Sequence, residues 1–113
     1  MIKKLLLVTL LALCGFSASA QFDNIGLLGG STLTGWASDT DMITTDGITY
    51  TLDNVVLINP LPGNDPGVKF RKDDAWEVNW GGNTFPSGTA IPGGVNIQVA
   101  PGTYNVTFQS CPK

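Results

Sequence analysis

The chain has 113 residues, a formal net charge of −3, two cysteines and no histidine. No histidine means no imidazole base, no His-based triad and no imidazole metal ligand. An acidic chain without a basic stripe argues against nucleic acid and anionic membrane surfaces as partners.

Residues 1–20 read as a secretory leader. Lys3 and Lys4 form a basic start, Leu5 to Phe16 is an apolar run too short to span a bilayer, and Ala18-Ser19-Ala20 is an A-x-A cleavage motif. The mature chain is therefore expected to begin at Gln21. It forms one domain over 21–113, exported and either extracellular or associated with an outer membrane. Cys14 offers a second reading, lipidation on a membrane leaflet. Leu13 stands where lipoprotein signals carry a small residue, which favours cleavage after Ala20. Four basic residues then face nine acidic ones, a net charge of −5, and a single cysteine, Cys111, remains. One cysteine cannot close an internal disulfide. A domain of this size buries roughly 60–65% of its unfolded surface, enough for one modest core.

The first strand is expected at Ile25 to Leu28, with Gly29-Gly30 loosening its exit. Ser31 to Asp41 is polar and turn-rich, with Trp36 isolated within it. Met42-Ile43 is a short apolar piece, and Asp46-Gly47 is a hairpin-type turn. Ile48, Tyr50 and Leu52 alternate with Thr49, Thr51 and Asp53, the period of a half-buried strand. Asp53-Asn54 is expected to turn before a second apolar run, Val55 to Ile58. Asn59 to Gly67 holds three prolines and two glycines and predicts a loop.

Val68 to Gly82, VKFRKDDAWEVNWGG, reads as a hairpin. Val68 to Arg71 alternates apolar and basic residues, and Lys72 to Ala75 supplies a turn in which Asp is favoured. Period-2 alternation then puts Trp76, Val78 and Trp80 on one face, Glu77 and Asn79 on the other. Asn83 to Gly94 is rich in Gly and Pro and predicts a loop. Val95, Ile97 and Val99 alternate with polar residues. Pro101-Gly102 turns, and Tyr104, Val106 and Phe108 mark the last strand. No helical period appears after residue 20. About seven short strands between turn signals predict an all-β fold, an antiparallel β-sandwich of immunoglobulin-like architecture, with a barrel as the alternative. Parity assigns Ile48, Tyr50, Leu52, Val68, Phe70, Val95, Ile97, Tyr104, Val106 and Phe108 to the core.

The hairpin brings flat aromatic surface, cationic donors and an amide together. Neutral polyols such as sugars need that mixture, rings for C–H faces and fixed polar groups for hydroxyls. Two other groupings carry clustered acids. Asp73, Asp74 and Glu77 are close enough to suggest a carboxylate pair, yet adjacent acids at a turn ordinarily form a solvated tip. Asp39-Thr40-Asp41 with Asp46 resembles a loose calcium loop, but its spacing does not match the ordered oxygen ligands such a loop needs.

Gly35-Trp36, then DGITY from Asp46 to Tyr50, VKFR from Val68 to Arg71, WEVNWGG from Trp76 to Gly82 and GTYNVTF from Gly102 to Phe108 resemble, in this order, the SusE/SusF family. These are starch-binding outer-membrane proteins of glycan-uptake systems. The resemblance implies an immunoglobulin-like sandwich, no catalysis, no cofactor, and binding of a polysaccharide or oligosaccharide, an α-glucan first. It implies Trp36, Lys69, Arg71, Trp76, Asn79 and Trp80 as the binding residues, and association with outer-membrane glycan-uptake components. Family members string several modules behind a lipidated cysteine, whereas one module is visible here. The loop Pro60 to Gly67 is longer than usual, and the chain ends soon after Phe108, where a final strand would be expected. The alternative is a structural or protein-interaction module of the cell envelope that keeps the fold without a sugar site.

Overall fold

The computed structural model describes residues 2–9, for their backbone, and 22–110. Among the described residues there are nine strands and no helix. They are β1 (Ile2–Thr9), β2 (Ile25–Leu28), β3 (Thr40–Asp41), β4 (Ile43–Thr44), β5 (Thr49–Leu57), β6 (Lys69–Lys72), β7 (Ala75–Gly81), β8 (Ser87–Pro92) and β9 (Gly102–Gln109). Within 22–110 these make two antiparallel sheets, one ordered β3-β2-β6-β7-β8 and one ordered β4-β5-β9. β1 runs between β8 and β9, parallel to both. The strand order ends on β3 and β4 without pairing them to each other, so the sheets form a sandwich and not a closed barrel. Of the expected leader only residues 2–9 are described. Cys14, Ala18-Ser19-Ala20 and Cys111 lie outside the described residues.

The core sits where β9 faces the β6–β7 hairpin. Tyr104, Val106 and Phe108 point inward by strict alternation, and Phe108 meets Phe70 at 4.8 Å and Trp80 at 4.9 Å between ring centres. Tyr50 closes the same cluster edge-on at 6.4 Å from Phe108. Its hydroxyl donates to the Asp23 carbonyl at 2.9 Å, so the buried ring keeps its polar tip satisfied. Ile25, Leu27, Val68 and Ile97 complete the interior. Ile48 and Leu52 are only half-buried.

Three local expectations are corrected. Asp53-Asn54 does not turn; β5 continues through it as a bulge. Leu52 pairs with Val106 and Val55 with Tyr104, three steps against two, so one extra residue is accommodated. Asn54 takes φ 56° there, and its N–H donates to Asn105 Oδ1 at 3.1 Å. The partner strand thus supplies the hydrogen bond that a turn would have supplied locally. Second, the expected loop 83–94 contains β8, whose Ile91 and Pro92 pair with Gly81 and Trp80.

Third, 95–99 is not a strand. Ile97 exchanges two backbone hydrogen bonds with Val68 and is fully buried, but Val95 is 65% exposed. A Cβ on Gly81 would meet the Val95 carbonyl at 1.9 Å. Gly81 lets this segment cross so closely that Val95 turns its carbonyl to Gly82 N–H and its side chain to solvent. Sequence alternation cannot register such a crossing.

Candidate functional site

The β6–β7 hairpin is built as expected at its tip and differently along its length. Asp73 and Asp74 both take φ 55°, the left-handed pair of a two-residue hairpin turn. Asp73 N–H donates to the Asn24 carbonyl, and Asp73 Oδ1 accepts from Asn24 N–H. Two of the three clustered acids are thus turn residues.

Beyond the tip the register breaks. Phe70 pairs with Trp80 and Arg71 with Asn79, but Lys72 pairs with Ala75. One step on β6 spans four on β7, so three residues, Trp76, Glu77 and Val78, bulge out of the ladder. The bulge separates the tryptophans that parity put together. Trp80 is 3% exposed and belongs to the core, whereas Trp76 is 47% exposed and lies over the outer face of β6. Trp80 therefore cannot meet a ligand. Its buried Nε1 has no hydrogen-bond partner.

On that outer face four side chains converge. The Arg71 guanidinium lies 4.7 Å from the Trp76 ring centre and Lys69 Nζ lies 5.6 Å from it. Trp36, from the loop after β2, meets Trp76 at 6.0 Å with the planes 44° apart. Two aromatic surfaces and two cations are thus assembled from segments more than 30 residues apart. Asn79 shares the face, but its Nδ2 donates to the Trp76 carbonyl at 2.8 Å and its Oδ1 is buried without a partner. Asn79 braces the bulge through that bond.

Arg71 is also committed. Its Nε donates to both Asp39 carboxylate oxygens, at 2.9 and 2.8 Å, and its Nη2 donates to Asp39 Oδ1. The Asp39 side chain is 2% exposed. The hydrogen bond to Asp39 raises the Arg71 pKa above its ordinary value, with burial opposing. Gly26, directly across the ladder from Arg71, makes room for the pair: a Cβ there would meet Asp39 at 2.7 Å. Asp39, which spacing alone offers only as part of a loose calcium loop, is the counter-ion of Arg71 beneath the platform. Asp46 likewise spends its Oδ1 on Ile48 and Thr49 N–H groups, which lowers its pKa. Among the described residues no group of three or more acids, cysteines or histidines is placed to hold a metal ion.

Lys69 differs from Arg71 and Lys72 on the same strand. Arg71 pairs with Asp39 and Lys72 lies 3.7 Å from Asp23, whereas no carboxylate lies within salt-bridge distance of Lys69 among the described residues. Desolvation lowers its pKa below the ordinary lysine value. Its ammonium lies over the Trp76 ring without a carboxylate to hold it among the described residues.

Trp36 is held by its edge. Its Nε1 donates to the Asp65 carbonyl at 3.0 Å, and a Cβ on Gly30 would strike that same carbonyl at 1.9 Å. The proline-rich loop 59–67 therefore has a structural task, anchoring Trp36. Beside it opens a groove of about 320 Å³ lined by Thr32, Leu33, Trp36, Ile58, Leu61 and Asn64. Leu33 and Leu61 are both largely exposed there. Neither they nor the Asp39, Gly26 and Gly30 supports carry a local signal, because each acts through a residue distant in sequence.

The chain matches no protein-family profile, no curated protein and no solved structure.

Proposed function

We propose that the chain is an exported, non-catalytic carbohydrate-binding module whose ligand is a starch-like α-glucan or a related oligosaccharide. One observation carries this reading: the exposed Trp76 and the half-buried Trp36 form a pair tilted by 44°, with the Lys69 ammonium over the Trp76 ring. Arg71 occupies one side of Trp76, which leaves a single ring face for a sugar. The SusE/SusF-like motif order supports the same reading, as does an acidic chain with no histidine. The binding set contracts from six residues to three, Trp36, Lys69 and Trp76. Arg71 and Asn79 position them, and Trp80 is core. The setting is the cell envelope, beside outer-membrane glycan-uptake components.

A pyranose stacked on Trp76 removes roughly 60–100 Å² of apolar surface from water, about 1.5–2.5 kcal/mol at ~25 cal/mol/Å². Partial contact with Trp36 and two or three hydrogen bonds at about 1 kcal/mol each add to this. Ordering the oligosaccharide takes some back. The net corresponds to a Kd of about a millimolar. Affinity of that order suits multivalent polymers engaged by several copies at once. Native electrophoresis in gels with and without soluble starch tests the reading. Retardation that disappears in Trp76→Ala and weakens in Lys69→Met, with both variants folded, supports it. Unchanged mobility in starch and in a panel of other polysaccharides leaves the structural role in the cell envelope instead.

A further inference from the structure

Trp36 belongs to two places at once. It meets Trp76 in the platform, and it also lines the groove of about 320 Å³ bounded by Leu33, Ile58, Leu61 and Asn64. That volume lies at the small end of ordinary ligand sites, which run from about 300 to 1,000 Å³.

The groove is preformed, because each wall is locked by its own backbone. In the wall after β2, Thr32 N–H donates to the Gly29 carbonyl, Gly35 N–H to the Thr32 carbonyl and Gly29 N–H to the Gly35 carbonyl. In the facing loop Asn64 N–H donates to the Leu61 carbonyl. Ser31, 2% exposed, ties the walls together. Its carbonyl accepts from Ile58 N–H, and its hydroxyl accepts from Gly67 N–H at 2.9 Å. The bond from Trp36 Nε1 to the Asp65 carbonyl is a second tie. Leu33 and Leu61 are thus held out at 70% and 67% exposure by fixed segments. A single exposed leucine needs no explanation, but two on the walls of one concavity beside a tryptophan form a binding surface.

The lining selects the occupant. None of its residues is charged, so an anionic headgroup or a charged peptide finds no counter-ion there. An extended peptide is recognised through free backbone donors, and those of Thr32, Gly35, Ile58 and Asn64 are spent within the walls. The lining offers an indole, two leucine side chains and the exposed Asn64, whose amide both donates and accepts. Apolar surface with such a group beside it matches a neutral pyranose.

We propose that this groove is a second sugar subsite, continuous with the platform through Trp36, and that one glycan chain runs from Trp76 past Trp36 into it. The inference rests on the carbohydrate-binding reading and narrows its ligand to linear, neutral chains long enough to reach both places.

The test titrates the folded protein with the disaccharide maltose, which covers the platform alone, and with maltohexaose, which reaches the groove. Indole signals of the tryptophans and methyl signals of Leu33 and Leu61 are followed by nuclear magnetic resonance. Covering the groove removes roughly 60 Å² or more of apolar surface, so maltohexaose should bind about tenfold or more tightly than maltose. Its binding should shift the Leu33 and Leu61 methyls, which maltose leaves in place. The double variant Leu33→Ser/Leu61→Ser should erase the gain with length and keep the affinity for maltose; both residues are exposed, so the fold should stand. Equal affinity for the two sugars, or a gain that survives the double variant, would overturn the subsite and leave the platform intact. Leucine methyls that move with protein concentration in the absence of sugar would give the groove to a second copy of the chain and overturn it equally. Indole signals unmoved by either sugar would instead refute the carbohydrate-binding reading, and the subsite with it.

Discussion

Replacing Arg71 by Met tests the support beneath the aromatic platform. The substitution keeps a long, mostly apolar stem and removes the charge. Asp39 would then hold a carboxylate that is 2% exposed, with three hydrogen bonds from the guanidinium gone. Removing one partner of a buried ion pair costs about 3–5 kcal/mol, mostly because the other charge is stranded. A domain spanning 22–110 has a total stability of roughly 5–13 kcal/mol at about 0.05–0.15 kcal/mol per residue. The loss is therefore about a quarter or more of the whole and is measurable by urea melts. Arg71→Met/Asp39→Asn should recover much of the stability while still failing to seat Trp76, which loses the cation 4.7 Å from its ring. Arg71→Lys should fall between, since an ammonium keeps the charge but not the fork that meets both carboxylate oxygens. A single-variant loss under about 1 kcal/mol would refute the reasoning and make Arg71–Asp39 an ordinary surface pair.

Phe70→Ala should cost about 3–5 kcal/mol, since the ring is fully buried against Phe108, while Val95→Ala should stay within about 0.5 kcal/mol. Equal losses at the two positions in denaturant melts would reverse the assignment of Val95 to solvent. Gly30→Ala should cost about 1–3 kcal/mol and disturb the near-ultraviolet dichroism of the Trp36–Trp76 pair, because its Cβ displaces the Asp65 carbonyl that holds Trp36. An unaltered spectrum would show that Trp36 is held by other contacts. Burial first, then repulsion from Asp23, Asp46 and Asp73, pushes the Tyr50 phenol up to about 12. The fold favours neutral Tyr50, so its contribution is complete below the ordinary tyrosine pKa of 10.0 and is lost as pH rises through about 12. Tyr50→Phe should flatten that alkaline loss while forfeiting the bond to the Asp23 carbonyl. Parallel stability curves for the two proteins above about pH 10 would refute the assignment.

Sequence alone determined the fold class, through local signals. Period-2 alternation at 48–52, 68–71 and 104–108, punctuated by Gly, Pro, Asn and Asp, admits strands and little else, and each of these stretches lies in or beside a strand, with Val68, Phe70, Tyr104, Val106 and Phe108 buried and, at 48–52, Tyr50 alone fully so. The hairpin tip at Asp73-Asp74 was legible for the same reason, since a two-residue turn depends on its own residues. Alternation holds, however, only while the ladder is unbroken. A three-residue bulge at 76–78 reversed Trp76 against Trp80, and an extra residue at 53–54 turned an expected corner into one long strand. Bulges are decided by which partner strand can satisfy the displaced backbone, here Asn105 for Asn54, and that partner lies 51 residues away. The division of the six candidate binding residues into platform, support and core was decided the same way. Asp39 claims Arg71 across 32 residues and the Asp65 carbonyl claims Trp36 across 29, contacts that exist only once the two sheets and their loops have closed on one another.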